Sequence, residues 1–480
     1  MGIDDYVIDE LASLTDALKA INDTGSGFCF VLNRENKMLG VLTDGDVRRV
    51  LISGHSEKKY VKDICNRNFE FGLETEKYEE LIRRLNTKIK VLPILDSNGK
   101  LVSFISSSKR SFIPILEPKL GREELKNVLD CMTSGWISSK GKYVDQFEQN
   151  FSKIHADRSS VAVSNGTVAL HLALISLGIG PGDEVIVPSM TFAASAAAIV
   201  QAGATPVFCD CDHTLCIDPN EIMALVTKKT KALLIVHLYG RIADVTKIMR
   251  ITSSLGIFLV EDAAEALGSS FNSRPAGTFG DAATFSFYGN KTITTGEGGM
   301  ILFRNCEHAA KARLLRDHGM SQDRRYWHDV IGYNYRITNL QAAIGVAQLK
   351  KLTSIVEAKR KVLFDYIRYF DGHKDFSYFS TERIGERNSN WLFVVLFKNN
   401  FDICRLMKRL NENLIDTRPI FYPLHLMPPY SSFKTSESME DSVLASQRGI
   451  CLPSSPTLVR ADIERIIDIF DFEVQNIQNA

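Results

Sequence analysis

The chain has 480 residues, 45% of them hydrophobic and 24% charged, and its 57 Lys+Arg cancel its 57 Asp+Glu. With no net field and no Lys/Arg cluster, composition argues against nucleic acid or an anionic membrane as a partner, and no apolar run approaches the roughly 20 residues that cross a bilayer. The nine cysteines show neither metal-type nor redox-type spacing and no signal peptide leads the chain, so a soluble enzyme of the reducing cytoplasm without a metal is expected.

In chain order, the first 110 or so residues form a repeat. A helix-like segment over Ile8 to Asn22 precedes a strand, polar turn and strand over Phe28 to Thr43. A second helix-like segment, Lys77 to Asn86, precedes the same pattern over Val91 to Ser106. Leu95 to Val102 aligns with Leu32 to Leu39 at an offset of 63 (95 − 32), which points to two stacked units completing one core. Gly40-Val41-Leu42-Thr43-Asp44-Gly45-Asp46-Val47-Arg48-Arg49 ends the first copy, with Asp46 opening a helix as an N-cap would. In the second copy Ser106 matches Thr43, but Lys109 stands at the position of the carboxylate. The region resembles a CBS-domain pair, an adenosine-nucleotide-sensing module. That resemblance implies a ribose held by Thr43 and Asp46 and a possible regulatory nucleotide at one site. The alternative, that Asp44 and Asp46 only shape a turn in a scaffold, stays open.

The polar connector Ser106 to Ser111 and the punctuation of Pro114, Pro118 and Gly121 mark a boundary. Beyond it, apolar β runs alternate with helical patterns: Val161 to Val163, Glu184 to Val187, Pro206 to Asp210, Ala232 to His237, Ile257 to Asp262, Ala282 to Phe287 and Gly299 to Phe303 are the strands. Val168 to Leu177 and Asp244 to Leu255 are among the helices. This alternation predicts a mostly parallel sheet covered on both faces. The last 130 or so residues read as a smaller α/β domain ending in a helix over Arg460 to Asn476. The expected domains are 1–110, 111–350 and 351–480.

Candidate chemistry sits in this body. Lys291 lies between two strands in Ser286-Phe287-Tyr288-Gly289-Asn290-Lys291-Thr292, ahead of the Gly-rich turn Gly296 to Gly299. A lysine on a strand-end loop can bring its amine to an aldehyde and form a Schiff base, the chemistry of pyridoxal phosphate (PLP) enzymes; a surface turn lysine is the plain alternative. Asp262 ends an apolar run, where open α/β sheets place ligands, and a carboxylate there keeps a pyridine nitrogen protonated; its alternative is to cap a helix beginning at Ala263. Asn165, Gly166 and Thr167 follow a strand and open a helix, suiting either a phosphate or an ordinary cap. Phe192 is either a ring-stacking residue or a core aromatic. Arg418 offers a planar fork to a substrate anion, or simply an ion pair within its domain.

The stretches Ser134 to Ser139, Ser164 to Leu170, Gly182 to Pro188, Val236 to Gly240, Glu261 to Ala266, Ser286 to Gly299 and Gly332 to Arg336 resemble, in the same order, the StrS-like sugar aminotransferases of PLP fold type I. The resemblance implies a mostly parallel large domain with a small C-terminal α/β domain, PLP as cofactor, and a nucleotide-linked keto sugar and glutamate as substrates. It implies that Lys291 is catalytic and that Glu265, Ser286 and Asn334 join the cofactor contacts, Asn334 reaching across a homodimer or larger assembly. Lys291 favours transamination over the dehydration run by relatives with histidine in its place. Gly135 to Val144, Tyr326 to Arg336 and Phe285 to Glu297 are most similar to the branch that aminates GDP-4-keto-6-deoxymannose, which adds Trp136 and His328 as substrate candidates. A UDP-, dTDP- or CMP-linked keto sugar, or a non-enzymatic nucleotide-sensing regulator, are the alternatives.

Overall fold

The computed structural model describes residues 3–479 apart from 25, 53–59, 77–79, 82–83, 86–88, 107–111, 322 and 380–381. They form two compact units, Met1–Ile113 and Pro114–Ala480. Among them no helix is long and apolar enough to cross a membrane.

In the first unit, β1 (Val7–Asp9) pairs parallel with β2 (Phe28–Leu32), which pairs antiparallel with β3 (Met38–Thr43). β4 (Gly72–Leu73), β5 (Val91–Leu95) and β6 (Leu101–Ser106) repeat that arrangement. The repeat extends to detail. Each hairpin bulges one residue before its end, leaving Leu32 opposite Met38 and Leu95 opposite Leu101. Each turn is closed by an acceptor side chain, Asn33 Oδ1 from Lys37 N at 2.9 Å and Asp96 Oδ1 from Lys100 N at 2.8 Å. The two turns meet where Met38 N donates to Gly99 O at 3.0 Å.

Two expectations need correction here. Ile8 to Asn22 is not one helix: Val7–Asp9 is a strand and the helix runs only over Leu14–Thr24. Val7 and Ile8 are β-branched, and Ser13 and Asp16 cap each other's N–H groups, so the helix starts after them. Asp46 is not the N-cap of Asp44–Ile52. Thr43 takes that place, its Oγ1 accepting from Asp46 N at 3.3 Å, while Asp46 Oδ2 accepts from Thr43 N at 2.9 Å. Lys109 and much of Lys77 to Asn86 lie outside the described residues.

The second unit is built on a seven-stranded sheet. In chain order its strands are β7 (Ser159–Val163), β8 (Glu184–Pro188), β9 (Thr205–Cys209), β10 (Thr230–Val236) and β11 (Phe258–Asp262). After a short hairpin, β12 (Ser270–Phe271) and β13 (Arg274–Pro275), come β14 (Ala282–Ser286) and β15 (Gly299–Phe303). The spatial order is β7-β15-β14-β11-β10-β8-β9, with β15 antiparallel to both neighbours and the rest parallel. All seven expected strands are present. Their apolar runs are buried on both faces, as helix-covered parallel strands must be. The helix Gly166–Ser176 is buried almost all round, which explains why its sequence lacks a polar face. Towards the C-terminus a four-stranded antiparallel sheet, Phe376–Tyr378, Phe393–Phe397, Gly449–Leu452 and Arg418–Pro419, lies among the helices Leu352–Phe370, Ile403–Glu412 and Arg460–Gln478.

Candidate active site

A cavity of about 1100 Å³ opens at the C-terminal ends of the parallel strands, where Val236, Asp262 and Ser286 end β10, β11 and β14. Backbone amides and carbonyls at such an edge have no further ladder partners, and helices begin there, so open α/β sheets collect ligands at this edge.

One end of the cavity is made of small residues. Asn165 caps the helix Gly166–Ser176 by accepting from Val168 N at 3.0 Å. The N–H groups of Gly166 and Thr167 belong to the first turn, which has no intrahelical acceptors. A Cβ on Gly166 would come within 2.8 Å of the Ser286 side chain, and one on Gly299 within 2.4 Å of Asn165 O. These two glycines let the helix start pack directly against β14 and β15. Asn165 is therefore both an ordinary cap and a wall of the cavity.

Buried carboxylates and Lys291 line the same cavity. Asp262 accepts from Ser195 Oγ at 2.8 Å and from Ala264 N at 3.1 Å. No helix starts at Ala263, so the alternative role as a helix cap is replaced by a tight turn that aims the carboxylate. Burial raises its carboxyl above the usual carboxylate range, against the pull of these hydrogen bonds and of Lys291. Glu265 accepts from Tyr239 N at 2.9 Å, and its other oxygen lies 3.5 Å from Lys291 Nζ. Burial pushes Glu265 up to about 7, with Lys291 opposing. Lys291 is held in a self-bonded turn, its N–H donating to Tyr288 O at 3.0 Å, so it is no loose surface lysine.

Phe192 and Arg418 also line the cavity. Phe192 is 59% exposed, so it is not a core aromatic. Arg418 carries the expected local ion pair, with Asp416. Trp136, His328 and Asn334 are exposed and do not line the cavity of their own chain. His328 Nδ1 is 3.0 Å from His318 O, and Asn334 bridges to Asp317. Thr43 and Asp46 belong to the first unit.

Four cavity residues or supports had no role assigned from sequence. Ser195 orients Asp262. His171 lines the wall and meets Tyr335 Oη at 3.2 Å. Tyr239 sits at a left-handed φ of 52°, its ring stacked between Trp391 and Phe421. Trp391 arrives from far along the chain to place its ring 4.0 Å from Lys291 Nζ. Tyr239 lies in a matched motif, Val236 to Gly240, whereas nothing around Trp391 in sequence flags it.

A half-buried lysine, buried carboxylates and a helix start built on glycine, all lining one cavity, fit pyridoxal phosphate. The fold and site define a PLP-dependent aminotransferase. Comparison with known proteins agrees. Residues 118–471 match the DegT/DnrJ/EryC1/StrS aminotransferase family, and residues 3–53 match the CBS domain. The chain is 43% identical over 362 residues to a GDP-perosamine synthase of Vibrio cholerae, covering 74% of this chain and 97% of that one. It is 42% identical over 352 residues to a GDP-perosamine synthase of Escherichia coli O157:H7, covering 72% and 94%. Among solved structures, the PLP form of the putative sugar aminotransferase Spr1654 from Streptococcus pneumoniae aligns with a TM-score of 0.72 at 26% identity, over 76% of this chain and 99% of that one. The chain belongs to the DegT/DnrJ/EryC1/StrS aminotransferase family, with a CBS domain at its front.

Proposed function

We propose that this enzyme transfers the amino group of glutamate to C4 of GDP-4-keto-6-deoxymannose, giving GDP-perosamine and 2-oxoglutarate. The observation that carries the reading is the likeness to two relatives named for that product, each of which it covers almost completely. A cavity of about 1100 Å³ is at the upper end of the usual range for small-molecule sites, room for a cofactor and a sugar together.

In this reading the bound cofactor supplies an electron sink, and the chain's residues do the rest. Lys291 anchors the cofactor and carries the proton at Nζ. Asp262 pairs with the ring nitrogen and Glu265 lies beside the lysine. Phe192 packs on the ring. Asn165, Gly166, Thr167 and Ser286 receive the phosphate, with Asn334 supplied by a second copy. Trp136 and His328, remote from the cavity of their own chain, contact substrate in the same way, and Arg418 faces a substrate anion. A dimer is further supported by Leu125, Leu129 and Met132, exposed apolar residues on one face of the helix Arg122–Ser134. Thr43 and Asp46 would hold the ribose of a regulatory nucleotide, and the enzyme works in the cytoplasm.

The test is to incubate the purified enzyme with glutamate and GDP-, UDP-, dTDP- or CMP-linked 4-keto sugars and to identify the amino sugar by mass spectrometry and NMR. Turnover of GDP-4-keto-6-deoxymannose at least tenfold faster than the others is expected. Preference for another nucleotide would replace the substrate, and no turnover of any sugar would favour a nucleotide-sensing regulator.

A further inference from the structure

Trp391 is fixed at every polar atom it has. Its backbone N–H donates to Tyr239 O at 3.2 Å, and its carbonyl accepts from Lys359 Nζ at 3.1 Å. Its indole N–H donates to Asn290 O at 2.7 Å, the peptide immediately before Lys291. Its ring lies parallel to that of Tyr239, with centroids 6.1 Å apart and an interplanar angle of 12°. Lys359, which holds the carbonyl, is fully buried and donates also to Ser454 O at 2.8 Å. The ring is thereby registered to the Lys291 turn.

Lys291 Nζ has two neighbours suited to a cation, the Trp391 face at 4.0 Å and Glu265 Oε1 at 3.5 Å. In any cycle where a lysine both bonds to a cofactor and leaves it, the released amine is a cation in a largely dry site. It must be stored within reach of the reacting carbon, and an unpartnered buried ammonium is costly. An indole face attracts an ammonium, and does so more strongly away from water. Glu265 alone is a weak store, because burial holds its carboxyl at about 7 and leaves it only partly ionised near neutrality.

We propose that Trp391 is a positioning residue that receives the Lys291 ammonium on its indole face whenever that amine is not bonded to the cofactor. Its role in the cycle rests on the aminotransferase reading above; the contact itself does not.

A double-mutant cycle tests the contact in cofactor-free protein. Lys291→Met, Trp391→Leu and the double variant are unfolded in urea. A coupling equal to about 2- to 30-fold in the unfolding equilibrium is expected, the range of a cation–π contact from exposed to desolvated. Additive effects overturn the proposal. Trp391→Phe keeps a ring face but loses the bond to Asn290, so it retains most of the coupling; complete loss in that variant also overturns the proposal. Should Trp391→Leu fail to fold, indole emission in a Trp136→Phe/Trp327→Phe background decides. Adding Lys291→Met to it shifts the spectrum of the remaining indole, and an unchanged spectrum counts against the contact.

The role in the cycle is read from the visible band of the cofactor-loaded protein titrated with glutamate. Trp391→Leu needs about 2- to 30-fold more glutamate for half-conversion of the band, and Trp391→Phe stays near wild type. An unchanged midpoint in Trp391→Leu overturns the role. A wild-type band indifferent to glutamate rejects glutamate as donor and leaves the apoprotein cycle to judge the contact.

Discussion

The two compact units each present a carboxylate beside a hydroxyl, and they treat it in opposite ways. In the first, Asp46 is bonded to Thr43 and ion-paired with Arg49, whose side chain is 73% exposed. The neighbouring Asp44 is likewise paired with Arg48, one helix turn on. In the second, Asp262 and Glu265 are buried, and both are pulled towards the ionised form by Lys291, from a different strand connection. Holding them there takes the large core that gathers side chains from Ile115 to Cys451, whereas the first unit's buried residues fall into smaller separate clusters. Unbalanced buried charge is costly, so its presence in a cavity points to chemistry, whereas a satisfied capping box needs no ligand to account for it.

The largest way to sharpen this contrast is Lys291→Ala. Turnover should fall by about 10⁴-fold or more, and the visible band of the lysine-bound cofactor should vanish, because one amine is both anchor and proton carrier. Residual transamination within a hundredfold of wild type would move the chemistry elsewhere. Asp262→Asn should follow, still taking up cofactor but losing about 10²- to 10³-fold in kcat, the usual cost of one preorganised charge contact. A near-normal kcat would mean that another group serves the ring nitrogen.

Glu265 gives a stability test. Its carboxyl sits at about 7 in the fold against an ordinary 4.5, so the folded apoprotein binds that proton more tightly than the unfolded chain. Stability is fully present below pH ~4.5 and is lost as pH rises through ~7, by on the order of 3 kcal/mol. Glu265→Gln should flatten that fall in urea denaturation between pH 5 and 8, and an unaltered slope would assign it to other groups. The smallest effect belongs to the first unit. A chain starting near Phe112 should keep kcat within about twofold, provided the assembly survives, because every residue given a chemical role lies beyond Pro114. Calorimetry with adenine and guanine nucleotides then asks whether Asp46→Ala abolishes binding to the full chain; persistence would remove the proposed ribose site.

The body was more legible in sequence than the front. Its strands are five to seven residues long and are built on short apolar runs such as Ala232 to Val236, a pattern dictated by burial on both faces, and strand-end residues such as Asp262 and Ser286 fall where those runs stop. The 63-residue offset of the repeat (95 − 32) was legible because strand, polar turn and strand recur in order, whereas the matching bulges emerge only from the strand register. Ile8 misled because a three-residue β1 is too short to show alternation beside an amphipathic helix. Trp391 could not be read at all, and Tyr239 was read only as part of the matched stretch Val236 to Gly240, without a role. Their importance comes from stacking and hydrogen bonds between segments far apart in sequence, which no local pattern encodes.

The Lys291 turn is closed on itself. Phe287 N donates to Gly298 O at 2.8 Å, Thr295 N to Phe287 O at 2.9 Å and Gly296 N to Thr294 Oγ1 at 2.8 Å, between β14 and β15, both interior to the sheet. Its ends cannot separate without breaking the sheet. A turn tied at both ends in this way leaves few residues to be ordered when a cofactor docks. The heat-capacity change on uptake should then reflect the surface the cofactor covers and little else.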